Sequence, residues 1–445
     1  MAEQKRVVIV GGGVAGISAA VHAIQNGVKP ILLERSPGLG GRARSLFAND
    51  VNAYIDNGQH ALSGSYAETR RLLSIIGSEE KIDFQQRLSI QFQLNARHSI
   101  RFQSWPLPPP LHFLLPLLLN APLTAIDRRF LKCFGWRYLR TTGEDLRRFT
   151  VREWLNAAGD APFLEKFLWE PITLATLNTP LEKASAFLLY QVLKNAFLGT
   201  AKNCGLGLPN EMLGDLFAGP AEKYMKKHGG EIRTNASVTR IILENKRIVA
   251  LEMRNGERIE TPMLIMAIPP HALAKLLDAS PEIREKLPYN FHKFEYSPII
   301  TANIWCKNPI SAHFPTALVD SPVQWVFSLP TKAQKPGLHG YALVISAAFK
   351  EVDFTAEQIL QLIDSELYHY FLKNLFNDLQ VAHYKIVKEK RATFLQTPQS
   401  LHLRATAKTP IPNFFLAGDW TDTDLPATIE SAALSGRLAA EHLIA

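Results

Sequence analysis

The chain has 445 residues, of which 47% are apolar and 20% charged. This is ordinary globular composition, long enough for roughly two or three domains and a sizeable buried core. The three cysteines, Cys133, Cys204 and Cys306, have no paired spacing, which excludes a disulfide framework and a cysteine-rich metal site and fits a reducing compartment. The net charge of +8 asks for an anionic partner, nucleic acid or membrane, and the placement of the charges decides between them.

The first predicted element is RVVIV, Arg6–Val10, a β-branched run that reads as a buried parallel strand. Lys5 and Arg6 ahead of VVIVGGGVAGISAA superficially match a signal peptide. Three consecutive glycines interrupt that apolar run, and cleavage would destroy the motif they form. Gly11, Gly12, Gly13, Val14, Ala15 and Gly16 make G-x-G-x-x-G between the strand and ISAAVHAIQNG, which has helical spacing. Gly11 permits the tight turn, Gly13 lets a pyrophosphate reach the backbone, and Gly16 lets helix and strand pack closely. Asn26-Gly27 ends the helix, KPILL is the second strand, and Glu34 stands at its end to hold a ribose hydroxyl. An acid rather than a base there argues against a 2′-phosphate. This motif alone does not separate a nicotinamide from a flavin dinucleotide.

The next stretch, ERSPGLGGRARS from Glu34 to Ser45, adds a second glycine-and-arginine loop that a nicotinamide dehydrogenase does not need. It resembles the G-G-R-x-x-S signature of the flavin-dependent amine oxidase and phytoene desaturase superfamily. The resemblance implies FAD, with Arg35, Gly41 and Arg42 in the loop and Arg42 behind the pyrophosphate and ring. Later segments extend the likeness. EIRTNASVTRI, RIVALEM, the Asn255-Gly256 hairpin and RIETPMLIMAI read as a β-meander, and in the superfamily the residue at Val238 contacts adenine through its backbone. FFLAGDWTDTDLPATIESAALSGRLAAEHLIA reads as a strand and a small-residue helix. By resemblance Gly418 and Asp419 lie on the ribityl or phosphate side of FAD, and Thr428 and Ile429 place a helix N-terminus at the flavin pyrimidine.

DNGQH (Asp56–His60), the W-E-P run from Trp169 and the L-P…L-F-x-x-P-A run from Leu208 together resemble the squalene-associated FAD-dependent desaturases, the hydroxysqualene dehydroxylases of bacterial hopanoid synthesis. The likeness spans nearly the whole chain. Thr331–Lys390 carries little of it, and Asn203-Cys204-Gly205 departs from the expected Ala-Ser-Asp. The implied reaction is reductive removal of an allylic hydroxyl from a C30 isoprenoid, by hydride delivery from reduced flavin. Asp56, Gly58 and His60 would reach the flavin face. His60 is the candidate proton donor and Asp56 its orienting partner; the alternative is that Asp56 caps a turn and His60 only shapes the pocket. Glu170 is a further acid candidate. Tyr54, Trp169, Phe187 and Tyr190 are candidates to line an apolar tunnel and stabilise a cation through their rings, although each also fits plain core. No His, Cys or carboxylate set has metal spacing.

WPLPPPLHFLLPLLLNAPL, Trp105–Leu123, has six prolines, eight leucines and no Lys, Arg, Asp or Glu. Its prolines allow only a short, kinked apolar element. Arg128, Arg129, Lys132, Arg137, Arg140, Arg147 and Arg148 follow, with Trp136 and Tyr138 among them. This pattern reads as a surface at an anionic bilayer, suited to a lipid-dissolved substrate, and no nucleic-acid motif accompanies the basic charge. A buried helix–loop with solvated arginines is the alternative.

The expected fold class is α/β: a Rossmann-type FAD domain with a β-meander (1–85, 205–270, 400–445), interleaved with an α+β substrate domain (86–204, 271–399). The expected location is the cytoplasm, peripheral on the inner face of a bacterial cytoplasmic membrane, with squalene-pathway enzymes as candidate partners. The competing functions are a carotenoid or terpenoid desaturase, with hydride running the other way, and a non-catalytic flavin-binding partner of a squalene-synthesising assembly.

Overall fold

The computed structural model describes residues 5–444. Five short parallel strands form the first sheet, in the order Glu231–Arg233, Lys29–Leu33, Arg6–Val10, Leu264–Met266, Phe414–Leu416. Three distant parts of the chain therefore build one sheet. Arg6–Val10 lies at its centre with Val7, Val8 and Ile9 at most 1% exposed, as a β-branched parallel strand requires. Helix Val14–Gln25 leaves the first strand and packs along the C-terminal helix, Ile429–Glu441. The two helices touch at backbone distance: a Cβ on Gly436 would sit 2.2 Å from the Ala15 carbonyl oxygen, and Ser18 Oγ donates to the Ala433 carbonyl at 2.6 Å.

The meander is present as the antiparallel sheet Val238–Glu244, Arg247–Met253, Arg258–Glu260, turning at Gly256 with φ +83°. The fold is thus the expected α/β architecture, a Rossmann-type parallel sheet with a β-meander, interleaved with a second sheet.

That second sheet has seven strands, ordered Val381–Phe394, Tyr296–Cys306, His339–Ser346, Trp325–Ser328, Thr316–Leu318, Ser89–Asn95, His98–Gln103. The stretch Thr331–Lys390, which carries little of the family likeness but reads as helical over AEQILQLIDSELYHYF, supplies a central strand and helix Ala356–Phe371. Ile359, Ile363 and Leu367 of that helix repeat at helical spacing and share a core with Ile300, Ile304 and Leu343 of the sheet. The helical stretch from Leu111 to Cys204 packs against strands Ser89–Asn95 and His98–Gln103 around a separate aromatic core.

Candidate active site

The two glycine loops form one cradle. Gly11 has φ +109°, and a Cβ there would lie 2.4 Å from the Ala267 carbonyl oxygen. At Gly16 the clash would be with Gly11's own carbonyl oxygen at 1.8 Å, so the helix starts hard against the strand. Val14 and Ala15 fill the buried first turn. Gly13 and Gly40 pair as a parallel bridge, Gly40 N–H donates to the Gly12 carbonyl at 2.8 Å, and Gly41 stacks on Gly13. Glu34, 8% exposed, accepts from Gly12 N–H and Ser36 N–H, both at 2.7 Å. The strand leading to Val238 runs beside it: Glu34 N–H donates to Arg233 and Ala236 N–H donates to Glu34, both at 2.9 Å. Val238 opens the meander half-buried, and Arg35 points to solvent.

Arg42 ties the second loop to the far end of the chain. Its Nη2 donates to Asp419 Oδ1 at 2.7 Å and its Nη1 to the Ala392 carbonyl at 2.6 Å. Gly418 (φ +148°) donates its N–H to Ser435 Oγ at 2.8 Å. Thr428 caps helix Ile429–Glu441, accepting from Ser431 N–H at 3.3 Å, which leaves the positive helix end facing the cleft side of the fold. An open glycine cradle, a buried carboxylate, an arginine pinned by an aspartate and a capped helix start together fit a flavin dinucleotide. The signature serine joins two segments, since Ser45 Oγ donates to Asp56 Oδ1 at 2.6 Å and accepts from Gly214 N–H at 2.8 Å.

The expected pairing of Asp56 with His60 is not formed. The Asp56 carboxylate is taken by Ser45 and by Leu213 N–H at 3.1 Å, and burial raises its pKa to about 6 against those two hydrogen bonds. Asp56 thus braces the Ser45–Ala48/Ala53–Asp56 hairpin against the loop at Leu213. His60 is pushed down to about 4, by burial first and by the Arg42 guanidinium second. At neutral pH it is an uncharged imidazole. Gly58 passes the Thr301 hydroxyl of the second sheet, 3.8 Å from where a Cβ would be.

A cavity of about 360 Å³ lies under the helical stretch. Phe92, Phe102, Phe113, Phe167, Phe197 and Trp325 line it among aliphatic side chains. Gln191 and Asn195 stand on one wall, Asn195 at the surface. At another point Ser63, Ser65, Tyr66, Thr428 and Glu430 meet, so the cavity reaches the start of the C-terminal helix. None of the four expected tunnel residues lines it. Tyr54 is 43% exposed on the outer hairpin, edge-on to Phe47 and under Lys332. Trp169 is buried against Phe134 and Phe130, Phe187 carries the Arg147 guanidinium 4.1 Å from its ring centroid, and Tyr190 stacks on Tyr138. Their neighbours do the lining, Phe167 and Leu168 beside Trp169 and Gln191 and Val192 beside Tyr190. The helical phase thus differs by one or two residues from the expected one. Glu170 opens on a separate cleft with Lys166 and Asp320. Tyr66 and Glu430 are legible in the sequence only as neighbours of recognised motifs.

Helix Leu111–Asn120 forms over the proline-rich stretch, with Pro116 inside it. Phe113 and Leu117 face the cavity, while Leu111, Leu114 and Leu119 are exposed. Ile126, Trp136 and Leu139 add exposed apolar surface, interspersed with exposed Arg128, Arg129, Lys132, Arg137 and Arg140. Among the described residues no helix is long and apolar enough to cross a membrane.

Known proteins match the chain over nearly its full length. The family described as flavin containing amine oxidoreductase matches residues 14–444. The chain is 28% identical to a hydroxysqualene dehydroxylase of Rhodopseudomonas palustris, covering 99% of both chains. It is 24% identical to a 15-cis-phytoene desaturase of Capsicum annuum, over 98% of this chain and 77% of that one. A solved oxidoreductase from Methanosarcina mazei superposes with TM-score 0.74 at 15% identity, covering 97% and 98% of the two chains.

Proposed function

We propose, because the chain belongs to the flavin-containing amine oxidoreductase family, that it binds FAD and reductively removes the hydroxyl of hydroxysqualene to give squalene. The observation that carries the reading is the aromatic cavity that ends in a polar cluster at the helix start beside the glycine cradle. Gly11, Gly13, Gly41, Glu34, Arg42, Asp419 and Thr428 would hold the cofactor, and reduced flavin supplies hydride when bound. The rings of Phe92, Phe113 and Phe167 line the site and tolerate the allylic cation that forms as the C–O bond breaks, the hydroxyl leaving as water with one proton drawn from solvent. His60, neutral beside Arg42, stands outside the residues that line the cavity and can donate a hydrogen bond on the cofactor side without carrying charge.

The test is an anaerobic single turnover. Bound flavin is reduced, hydroxysqualene is added, and the oxidised-flavin band is recorded together with squalene. Matched return of the band and squalene supports the reading. Flavin that stays reduced with no squalene formed defeats it and promotes the second reading, a polyisoprenoid desaturase, which the likeness to a phytoene desaturase favours, or else a non-catalytic flavin-binding partner of squalene-pathway enzymes.

A C30 substrate resides in lipid, and helix Leu111–Asn120 has one face on the cavity and the other outward among arginines. We place this face on the anionic inner surface of a bacterial cytoplasmic membrane as the entry for substrate. Co-flotation with anionic but not neutral vesicles, lost in Leu114→Glu/Leu119→Glu, is the expected outcome. Equal flotation of that variant would remove the helix from the contact.

A further inference from the structure

The polar corner of the cavity contains groups whose hydrogen bonds are spent within the fold, and a phenol, Tyr66, held against Thr428 with its oxygen at the cavity. The Glu430 carboxylate accepts from Glu68 N–H at 2.9 Å, Thr69 N–H at 2.8 Å and Thr69 Oγ1 at 2.7 Å. It thereby caps helix Ala67–Ile76, whose own cap position, Tyr66, offers no side-chain cap. Thr428 Oγ1 accepts from Ser431 N–H and donates to the Pro426 carbonyl, both at 3.3 Å. Ser63 Oγ donates to the Asn203 carbonyl at 3.1 Å and shares a hydrogen bond with Ser65 Oγ at 2.8 Å. Tyr66 is different. Its hydroxyl meets the Thr428 side chain in a hydrogen bond and lies near the Glu430 carboxylate. Burial pushes that phenol up to about 12, so it stays protonated, a donor, at every physiological pH.

From this placement we propose that the Tyr66 hydroxyl, at the Thr428 end of the apolar cavity, is the subsite that recognises the oxygen of a long-chain isoprenoid alcohol. The proposal rests on the dehydroxylase reading and adds to it how alcohol is told from hydrocarbon. The aromatic walls hold either lipid with similar strength, because both present the same isoprenoid surface. Only the alcohol gives the phenol a hydrogen-bond partner beyond Thr428. A hydrocarbon in the same place forgoes that bond, and a site built to hydrogen-bond a hydroxyl disfavours the analogue that lacks one. The location also sets direction. An oxygen held at Tyr66 sits beside the positive start of helix Ile429–Glu441, the end where the Rossmann cradle lies, and the isoprenoid tails extend toward Phe113 and Phe197.

The experiment uses the oxidised holoprotein, in which no reduction occurs. Hydroxysqualene and squalene are titrated in the same detergent, and binding is read from perturbation of the flavin absorbance band. Wild type is expected to prefer the alcohol, and Tyr66→Phe, which removes one oxygen and leaves the helix start intact, to lose about tenfold of that preference with squalene affinity unchanged. Gln191→Leu on another wall is the control and should retain the preference. An unchanged preference in Tyr66→Phe, or its loss in Gln191→Leu or His60→Ala instead, overturns the subsite. Wild type that binds neither lipid overturns the substrate reading itself, and the two failures are distinct.

Discussion

The glycine cradle and the aromatic cavity are built by opposite means. The cradle works by removing side chains: at Gly11, Gly13, Gly16 and Gly41 the backbone itself forms the surface, and the loops stack because no Cβ intervenes. The cavity works by adding them, with Phe92, Phe102, Phe113, Phe167 and Phe197 contributed from strands and helices far apart in sequence. Removal is all-or-none at each position, whereas a wall of many rings is redundant. Substitutions in the first region should be severe and selective for flavin. Those in the second should be graded and selective for lipid.

The largest effect is expected at Gly16. A methyl group there meets the Gly11 carbonyl oxygen at 1.8 Å, which only movement of the helix away from the strand relieves. Gly16→Ala should purify with little or no flavin, a loss of at least about a hundredfold in affinity, since the displacement costs several kcal/mol. The flavin-to-protein absorbance ratio reads it. A variant with full flavin would show that the helix start is not the constraint.

Phe113→Ala tests the other side. The ring packs on Phe102 at 5.0 Å and Phe197 at 4.5 Å between centroids, and its loss opens the roof of the cavity under helix Leu111–Asn120. Lipid affinity should fall about tenfold, an aromatic contact with its share of buried area, while flavin content stays at the wild-type ratio. Loss of flavin in this variant would mean that the two regions are one cooperative unit.

The same contrast explains what the sequence disclosed. The cradle is local: G-x-G-x-x-G, G-G-R-x-x-S and the acid at Glu34 each act within a few residues, so their spacing carries the geometry. The β-meander and the C-terminal helix are legible for the same reason. The cavity is non-local. Its lining depends on which side of a short helix faces inward, and two π-type turns, Glu165–Trp169 and Leu193–Phe197, shift the phase near Trp169 and Tyr190. Trp169, Phe187 and Tyr190 therefore go to core, and Phe167 and Gln191 to the wall. Asp56 ends a strand and His60 lies four residues on in irregular chain, so no period fixes whether they meet.

His60 offers a smaller and signed effect. Its folded pKa lies near 4, below the value of about 6.5 for an unfolded chain. Between those pH values the unfolded state binds a proton that the folded state refuses, so this residue makes stability rise with pH through that window. Asp56, raised to about 6, acts in the opposite sense over much of the same range. His60→Gln should therefore lose less stability than wild type on going from pH 7 to pH 5, by less than about 1 kcal/mol per pH unit, measured by denaturant unfolding at both pH values. An equal or greater loss would mean that His60 is solvated and titrates normally.

The smallest effect, and the sharpest placement of the boundary, is expected at Tyr54. It lies on the hairpin that carries Asp56, yet its ring is 43% exposed and packs only at the surface, 5.1 Å from Phe47 and 5.2 Å from the Lys332 ammonium. The alternation of the strand explains this: Ala53 and Ile55 share the buried face and Tyr54 the outer one, while Asp56, at the strand's end, is covered by the loop at Leu213. Tyr54→Leu should leave flavin content and lipid affinity within about twofold of wild type and stability within about 0.5 kcal/mol, as for other surface changes. A clear loss of lipid affinity would extend the cavity wall across the hairpin. The division between a cradle defined by backbone and a wall defined by rings would then have to be drawn on the far side of Asp56.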